Sequence, residues 1–468
     1  MGSRQAKQRD RSSPVRILHL SDIHMGSGFS HGRINPETGT NSRLEDFVTT
    51  LSRCIDRAVG CAADSDDTEP VDLVLFGGDA FPDATPLPRV QEAFASQFRR
   101  LVDAEIPTVL LVGNHDQHSQ GQGGASLCIY RTLGVPGFIV GDSLETHRIE
   151  TRKGPVQVMT LPWLTRSHLL TKPETAKLSL SEVNHLLIDR LGAALEGEIR
   201  RLDPDSPTVL LGHVMADSAR YGSERFLAVG KGFTIPTSLL SRDCFDYVAL
   251  GHVHRHQVLC EEPPVIYPGS IERVDFSEEK EDKGFVLIEL ERGNAAWQFC
   301  PLPVRSFRTI EVDLSQTDDP QADLLAAIAH HSIEDAVVRL RYKLRSDQLD
   351  SIDNAEIQTA LDAAHTYTIH PELVSQLARP RLPELGADST LDPMKALQTY
   401  LDNREDLQEI ANDLLIAARE LLAGDEETEE TAAATKTKPA STAVKEKTIP
   451  YSAPLRQGPT GGTQLRLL

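Results

Sequence analysis

Eight side chains in this sequence are of a type and spacing that could hold or move charge at a reaction centre: Asp22, His24, Asp79, Asn114, His115, His213, His252 and His254. They fall in five short motifs: Asp-x-His, Gly-Gly-Asp, Gly-Asn-His-Asp, Gly-His and Gly-His-x-His. Imidazole and carboxylate without thiolate suit manganese, iron or zinc in a reactive site better than a structural zinc. Without His115, seven donors remain, too many for one ion but suited to two ions that share a carboxylate. Two dications bring four positive charges, of which Asp22 and Asp79 return two. The remainder could acidify a bound water and hold a phosphodiester for in-line attack. Taken singly, an Asp-x-His is ordinarily a solvated turn and a strand-end His an ordinary hydrogen-bonding group. The metal reading rests on all five occurring together, each after an apolar run.

Those runs are the elements that must position the donors. Residues 17–20 lead to Asp22 and His24, 73–76 to Asp79, 109–112 to Asn114 and His115, 209–211 to His213, and 247–250 to His252 and His254. The stretch 109–112 is apolar throughout, which reads as a strand buried on both faces, and Gly113 allows a sharp turn before the polar groups arrive. Between the strands, Leu44, Phe47, Val48, Leu51, Ile55 and Val59 recur at helical spacing. A loop with Pro82, Pro86 and Pro88 precedes a helix ending near 102. A strand at 157–161, a helix at 183–202 and short strands at 265–267 and 285–290 continue the alternation, which is the α/β pattern. The Gly-, Ser- and Asn-rich loop 26–41 lies beside Asp22 and His24.

Past residue 304 the character changes. Strands at 309–314, 337–345 and 367–369 alternate with helices at 322–329 and 355–364, a βαβαβ order that predicts a small second domain. Within it Arg339, Arg341, Lys343 and Arg345 alternate with apolar residues, giving either a phosphate-tracking stripe or a solvated strand face. Asp392 and Pro393 open a helix bearing Met394, Leu397 and Leu401, and a second helix runs from about 405 to Gly424. This pair reads as a docking element for a partner, or as packing on the chain's own body. The boundaries are a disordered arm 1–14, a main domain 15–303, a second domain 304–385, the helix pair 386–424 and a disordered tail 425–468. A net charge of −21 excludes a protein that coats nucleic acid by bulk charge, so a polyanion needs local positive charge, metal or a partner. Six scattered Cys fit a reducing compartment, with the cytoplasm as default. The basic arm lacks a following apolar signal region, and no run reaches membrane-spanning length, so no membrane partner is expected.

The order of the five motifs resembles the calcineurin-like metallophosphoesterase superfamily over about residues 15 to 300. Gly251-His252-Val253-His254-Arg255-His256-Gln257, followed by Tyr267-Pro268-Gly269-Ser270-Ile271-Glu272-Arg273-Val274-Asp275-Phe276, is similar to its SbcD branch, the nuclease subunits of bacterial SbcCD complexes. The resemblance implies an α/β four-layer sandwich, two central β-sheets flanked by helices, with a small α+β capping domain and a C-terminal helix pair. It implies that Asp22, His24, Asp79 and His254 hold one ion, and Asp79, Asn114, His213 and His252 the other. His115 would steady the transition state or protonate the departing 3′ oxygen. Asp116 would either orient His115 or cap a turn. Arg255, His256 and Arg273 either contact substrate phosphate or brace the hairpin.

The activity implied is manganese-dependent 3′ to 5′ exonuclease and endonuclease action on DNA in double-strand break or hairpin processing. It is carried out with an SbcC-like ATPase, as a homodimer within a heterotetramer. One position departs from the pattern: some relatives carry a His three residues after the bridging Asp, where this chain has Pro82. The competing expectations are a phosphoesterase of small phosphodiesters or nucleotides, and a non-catalytic scaffold. Retention of every expected donor and of His115 speaks against the scaffold.

Overall fold

The structure is a computed structural model; it describes residues 13–63, 67–118, 124–165, 178–222 and 233–374, and single positions between 394 and 418. Residues 1–12 of the arm, the tail and the helix pair as a whole therefore lie outside the described residues, although Met394, Leu397 and Leu401 are each helical. The chain divides into two compact units, 1–375 and 376–468, and the first of them carries all five motifs.

Two six-stranded sheets form the centre of that first unit. In one the order is Asn294–Pro301, Gly284–Glu291, Val15–Leu20, Leu73–Phe76, Thr108–Leu111 and Phe138–Gly141. In the second it is Gln257–Glu261, Pro264–Tyr267, Tyr247–Gly251, Thr208–His213, Pro155–Leu161 and Glu145–Glu150. The five donor-bearing strands are interior members, parallel to their donor-bearing neighbours. All five therefore deliver their C-terminal ends, and the polar residues beyond, to one edge of the body.

Side-chain alternation explains the layering. Along the first strand Ile17 faces the second sheet, packing with Leu75, Val109, Val209, Leu211 and Ala249, whereas Leu18 and Leu20 face outward. The helices Ser42–Ala58 and Pro88–Asp103 cover that outer face with Phe47, Leu51, Phe94 and Phe98. Leu180–Ile199 covers the outer face of the second sheet with Leu187, Leu191 and Leu195. Helix, sheet, sheet and helix stack in the expected four-layer α/β order.

The edge strands Phe138–Gly141, Glu145–Glu150, Gln257–Glu261 and Asn294–Pro301 have no counterpart among the expected elements. Glu145–Glu150, Gln257–Glu261 and Asn294–Pro301 are half-exposed and carry mixed side chains, and the apolar run of Phe138–Gly141 is only three residues long before its glycine. No helix among the described residues is long and apolar enough to cross a membrane.

His19 sits fully buried between the sheets, its Nδ1 3.2 Å from the Tyr247 hydroxyl. Burial pushes its pKa down to about 3, so the folded chain keeps it neutral while the unfolded chain protonates it near 6.5. Stability should therefore fall as pH drops below about 6.5, and keep falling toward pH 3. The loss between pH 7 and pH 5 is about 2 kcal/mol from this group. Urea melts at those two pH values should diverge less for His19→Gln than for the parent; equal divergence would assign the effect elsewhere.

Within the same unit, the segment expected as a second domain forms a separate three-stranded parallel sheet, Phe307–Asp313, Val337–Arg345 and Thr366–Val374, with helices Pro320–Ala329 and Asn354–Ala360 packed on one face. Its last strand runs well beyond the expected 367–369, because exposed His370, Pro371 and Glu372 look like loop. Val338, Leu340, Tyr342 and Leu344 point into its core, leaving the four cations on the other face. Their charge is largely met locally. Arg341 pairs with Glu311 at 2.7 Å, Arg345 with Asp347 at 3.1 Å, and Lys343 stands in register between Asp313 and Glu372. Arg339 lies over the Phe276 ring, 4.3 Å from its centroid. This is the pattern of a solvated, paired strand face.

Candidate metal centre

The turns after the strands are strained where the donors sit. Asp22, His24, Asp79 and His252 adopt φ of 52°, 47°, 57° and 104°, a region that residues with a Cβ avoid. Such strain persists only if neighbours hold it, and here the motifs hold each other. Asp22 N–H donates to Gly78 O and His24 N–H to Asp79 O, both at 3.0 Å, while His252 N–H reaches the Asp22 carboxylate at 3.0 Å. The Asp116 carboxylate accepts the backbone N–H of Asp79 (2.9 Å), Ala80 (3.0 Å) and Gly113 (3.0 Å). Of its two expected roles, these contacts are those of a turn cap, tying the Gly-Gly-Asp turn to the Gly-Asn-His-Asp turn. Two glycines permit the crowding: a Cβ on Gly251 would overlap Gly77 O, and one on Gly113 would overlap the Asp79 carboxylate.

Around Asp79 the seven donors converge in two sets. In the first, His24 Nε2 and His254 Nε2 face each other at 3.0 Å beside Asp22, and His24 Nε2 is 3.6 Å from Asp79 Oδ2. In the second, His213 Nε2 is 3.3 Å from Asp79 Oδ2, and Asn114 Oδ1 is 3.0 Å from His213 Nε2 and 2.9 Å from His252 Nδ1. Six of the seven are buried and Asn114 is half-buried.

Whether a cation fits can be judged from the nitrogens themselves. His213 donates its Nδ1 proton to Gly77 O at 2.7 Å, which aims its Nε2 at two oxygens, Asn114 Oδ1 and Asp79 Oδ2. His254 Nδ1 meets the Glu278 carboxylate at 2.6 Å, which holds the proton there and turns Nε2 toward His24 as an acceptor. Ring nitrogens and oxygens are thus crowded together in a buried pocket, where positive charge between them, from a proton or a metal ion, is stabilising, and His252 Nε2 is buried there with no hydrogen-bond partner. Burial opposes charge on His213, yet Asp79 and Asp22 outweigh it and push its pKa up to about 9. The pocket is built for cations, and its donors fit divalent metal.

His115 stands beside both sets. Its backbone N–H donates to Asp79 Oδ1 at 2.8 Å, its ring lies edge-on to His24 at 4.9 Å, and its Nδ1 donates to the carbonyl of Pro82 at 2.7 Å. The residue at the departing position thus orients His115 through its backbone, a function that needs no particular side chain.

The remaining candidates divide. Arg255 is exposed, directly after His254. His256 stacks on Phe299 with ring centroids 4.1 Å apart and bonds Tyr267 O at 2.9 Å, and Arg273 donates its guanidinium to the carbonyls of Glu278, Arg305 and Glu281. The contacts of these two are those of braces.

Sequence reasoning missed Glu278 and Lys283. Both are buried, 2.7 Å apart, and Glu278 fixes the tautomer of His254. Glu278 sits in an acidic run, Ser277-Glu278-Glu279, where nothing distinguishes it from a solvated neighbour. Its Glu278→Gln variant should bind Mn²⁺ roughly 10- to 100-fold more weakly by calorimetric titration, the usual effect of losing such a partner. Unchanged affinity would leave Glu278 a purely structural role.

The calcineurin-like phosphoesterase family matches residues 15–256, more than half of the chain. The chain belongs to that family and is a metal-dependent phosphoesterase. Over 303 residues it is 26% identical to the SbcD subunit of nuclease SbcCD from Staphylococcus epidermidis, covering 64% of this chain and 73% of that protein. Among solved structures it matches the sulfate thiohydrolase SoxB of Thermus thermophilus in complex with glycerol, at 15% identity and TM-score 0.32 over 68% of this chain and 61% of that one. It also matches a cold-active protein-tyrosine phosphatase of a psychrophilic Shewanella, at 15% identity and TM-score 0.24 over 63% and 83%.

Proposed function

We propose that this chain is the nuclease subunit of an SbcCD-type complex, a two-metal 3′ to 5′ exonuclease and endonuclease on DNA. In this reading Asp22, His24, Asp79 and His254 hold one Mn²⁺, and Asp79, Asn114, His213 and His252 hold the other. The observation that carries it is the convergence of seven donors from both sheets on Asp79, in a chain similar to an SbcCD nuclease subunit. Divalent ions held there would supply Lewis-acid polarisation of the phosphodiester and would acidify an attacking water.

The chain's own residues do the rest. Gly77 O and Glu278 keep the His213 and His254 rings in donor orientation. The Pro82 carbonyl accepts the Nδ1 proton of His115, so that Nε2 of the doubly protonated ring is the atom that gives a proton to the departing 3′ oxygen, leaving the ring neutral. Cytoplasmic action in double-strand break or hairpin processing, as a homodimer joined to two copies of an SbcC-like ATPase through residues 386–424, completes the proposal.

The test is a 3′-labelled duplex incubated with Mn²⁺, with chelator, and beside a chromogenic diester. Loss of label that chelator abolishes is expected. Hydrolysis of the small diester alone would replace the nuclease with an enzyme of small phosphodiesters. Co-purification with the ATPase, and ATP-dependent cleavage of blocked ends, tests the assembly.

A further inference from the structure

The segment 272–281 touches both the metal centre and the capping domain. On one side, Glu278 accepts from His254 Nδ1 at 2.6 Å. On the other, Phe276 packs edge-on against Phe307 of the cap at 4.9 Å, beneath the Arg339 guanidinium, and the Glu279 carboxylate accepts the backbone N–H of Thr309 at 3.1 Å. Arg273 links the two sides. Its Nε donates to Glu278 O at 3.2 Å, its Nη2 to Glu281 O at 2.9 Å and its Nη1 to Arg305 O at 3.0 Å. Arg305 in turn grips Asp46 of the catalytic body through two bonds of 2.7 Å and Asp335 of the cap at 2.6 Å.

An unbroken line of contacts therefore runs from Asp335 in the cap through Arg305, Arg273 and Glu278 to the His254 ring. The other donor set is held differently. His213 is fixed by Gly77 O, and His252 packs against Trp163 with ring centroids 4.8 Å apart; both supports come from the catalytic body.

We infer that Arg273 and Arg305 are positioning residues through which the seating of the cap sets the affinity of one metal site only, that of Asp22, His24 and His254. The inference rests on the proposed binding of two divalent ions. A bound strand or a partner that tilts the cap loosens the 272–281 segment, frees Glu278 from His254 and weakens one ion while sparing its neighbour. The cap then acts as a control on the catalytic centre.

The experiment is Mn²⁺ titration of the full chain, followed by calorimetry and by electron paramagnetic resonance, in the parent and in Asp335→Ala, Arg305→Ala, Arg305→Lys and Phe307→Ala. The Asp335 side chain is 70% exposed, so its variant keeps the fold even if a core variant does not. Two ions should bind the parent. Asp335→Ala and Arg305→Ala should weaken one of them about tenfold or more and leave the spin-coupled pair depleted, with Arg305→Lys between parent and Ala. Two ions bound with unchanged affinities in every variant, or both weakened equally, would overturn the inference while leaving the two-metal reading intact. A parent that binds fewer than two ions removes that reading, and the inference with it.

Discussion

Asp79→Asn should abolish phosphodiester hydrolysis to below about a thousandth of the parent rate and remove most of the stabilisation that Mn²⁺ confers. Asp79 is the only donor shared by both proposed sites: Oδ2 lies 3.6 Å from His24 Nε2 and 3.3 Å from His213 Nε2. Asn preserves the shape and keeps one oxygen for the His115 N–H, a bond of 2.8 Å in the parent, so the loss isolates the charge. A ligand present at a hundredfold over its dissociation constant stabilises by about 2.7 kcal/mol. Thermal melts with and without Mn²⁺ should separate clearly for the parent and nearly coincide for the variant. A variant that still melts later with Mn²⁺ by the parent's margin would mean that the ions bind elsewhere.

His115→Ala should lower the turnover of DNA by two to four orders of magnitude while both ions still bind. The 3′ oxygen of a nucleotide leaves as a strongly basic alkoxide unless it is protonated, and His115, held through Nδ1 by Pro82 O, is placed to supply that proton. A nitrophenolate leaving group is a far weaker base and needs little help. The same variant should therefore lose much less on a nitrophenyl diester than on DNA. Equal losses on the two substrates would show that His115 steadies charge in the transition state instead of donating a proton.

The donors were legible in the sequence because each follows an apolar run, and such runs become the interior strands of a two-faced sheet. The supports were not. Asp116 could be narrowed only to two roles, since its choice of partners depends on how the Gly78 and Gly113 turns meet in space. Glu278 acts on a residue 24 positions earlier in the chain, and Arg305 on Asp46, 259 positions away. No local pattern encodes a partner at such separation. The edge strands failed for a related reason: Glu145–Glu150 reads Glu-Thr-His-Arg-Ile-Glu, and only its pairing with Pro155–Leu161 makes it a strand. The helix Ser42–Ala58, by contrast, has both an amphipathic face and Asn41 as its N-cap, and its limits lie close to those its apolar spacing predicts.

The donors are divided between the two sheets: Asp22, His24, Asp79 and Asn114 come from the first, His213, His252 and His254 from the second. A growing polypeptide on the ribosome completes the first set well before it has made any of the second. An unfinished or truncated copy lacking residues beyond about 200 thus holds half a centre and has no means to cut. For an enzyme proposed to attack the genome, this division delays chemical competence until synthesis has passed the last histidine and the halves have closed.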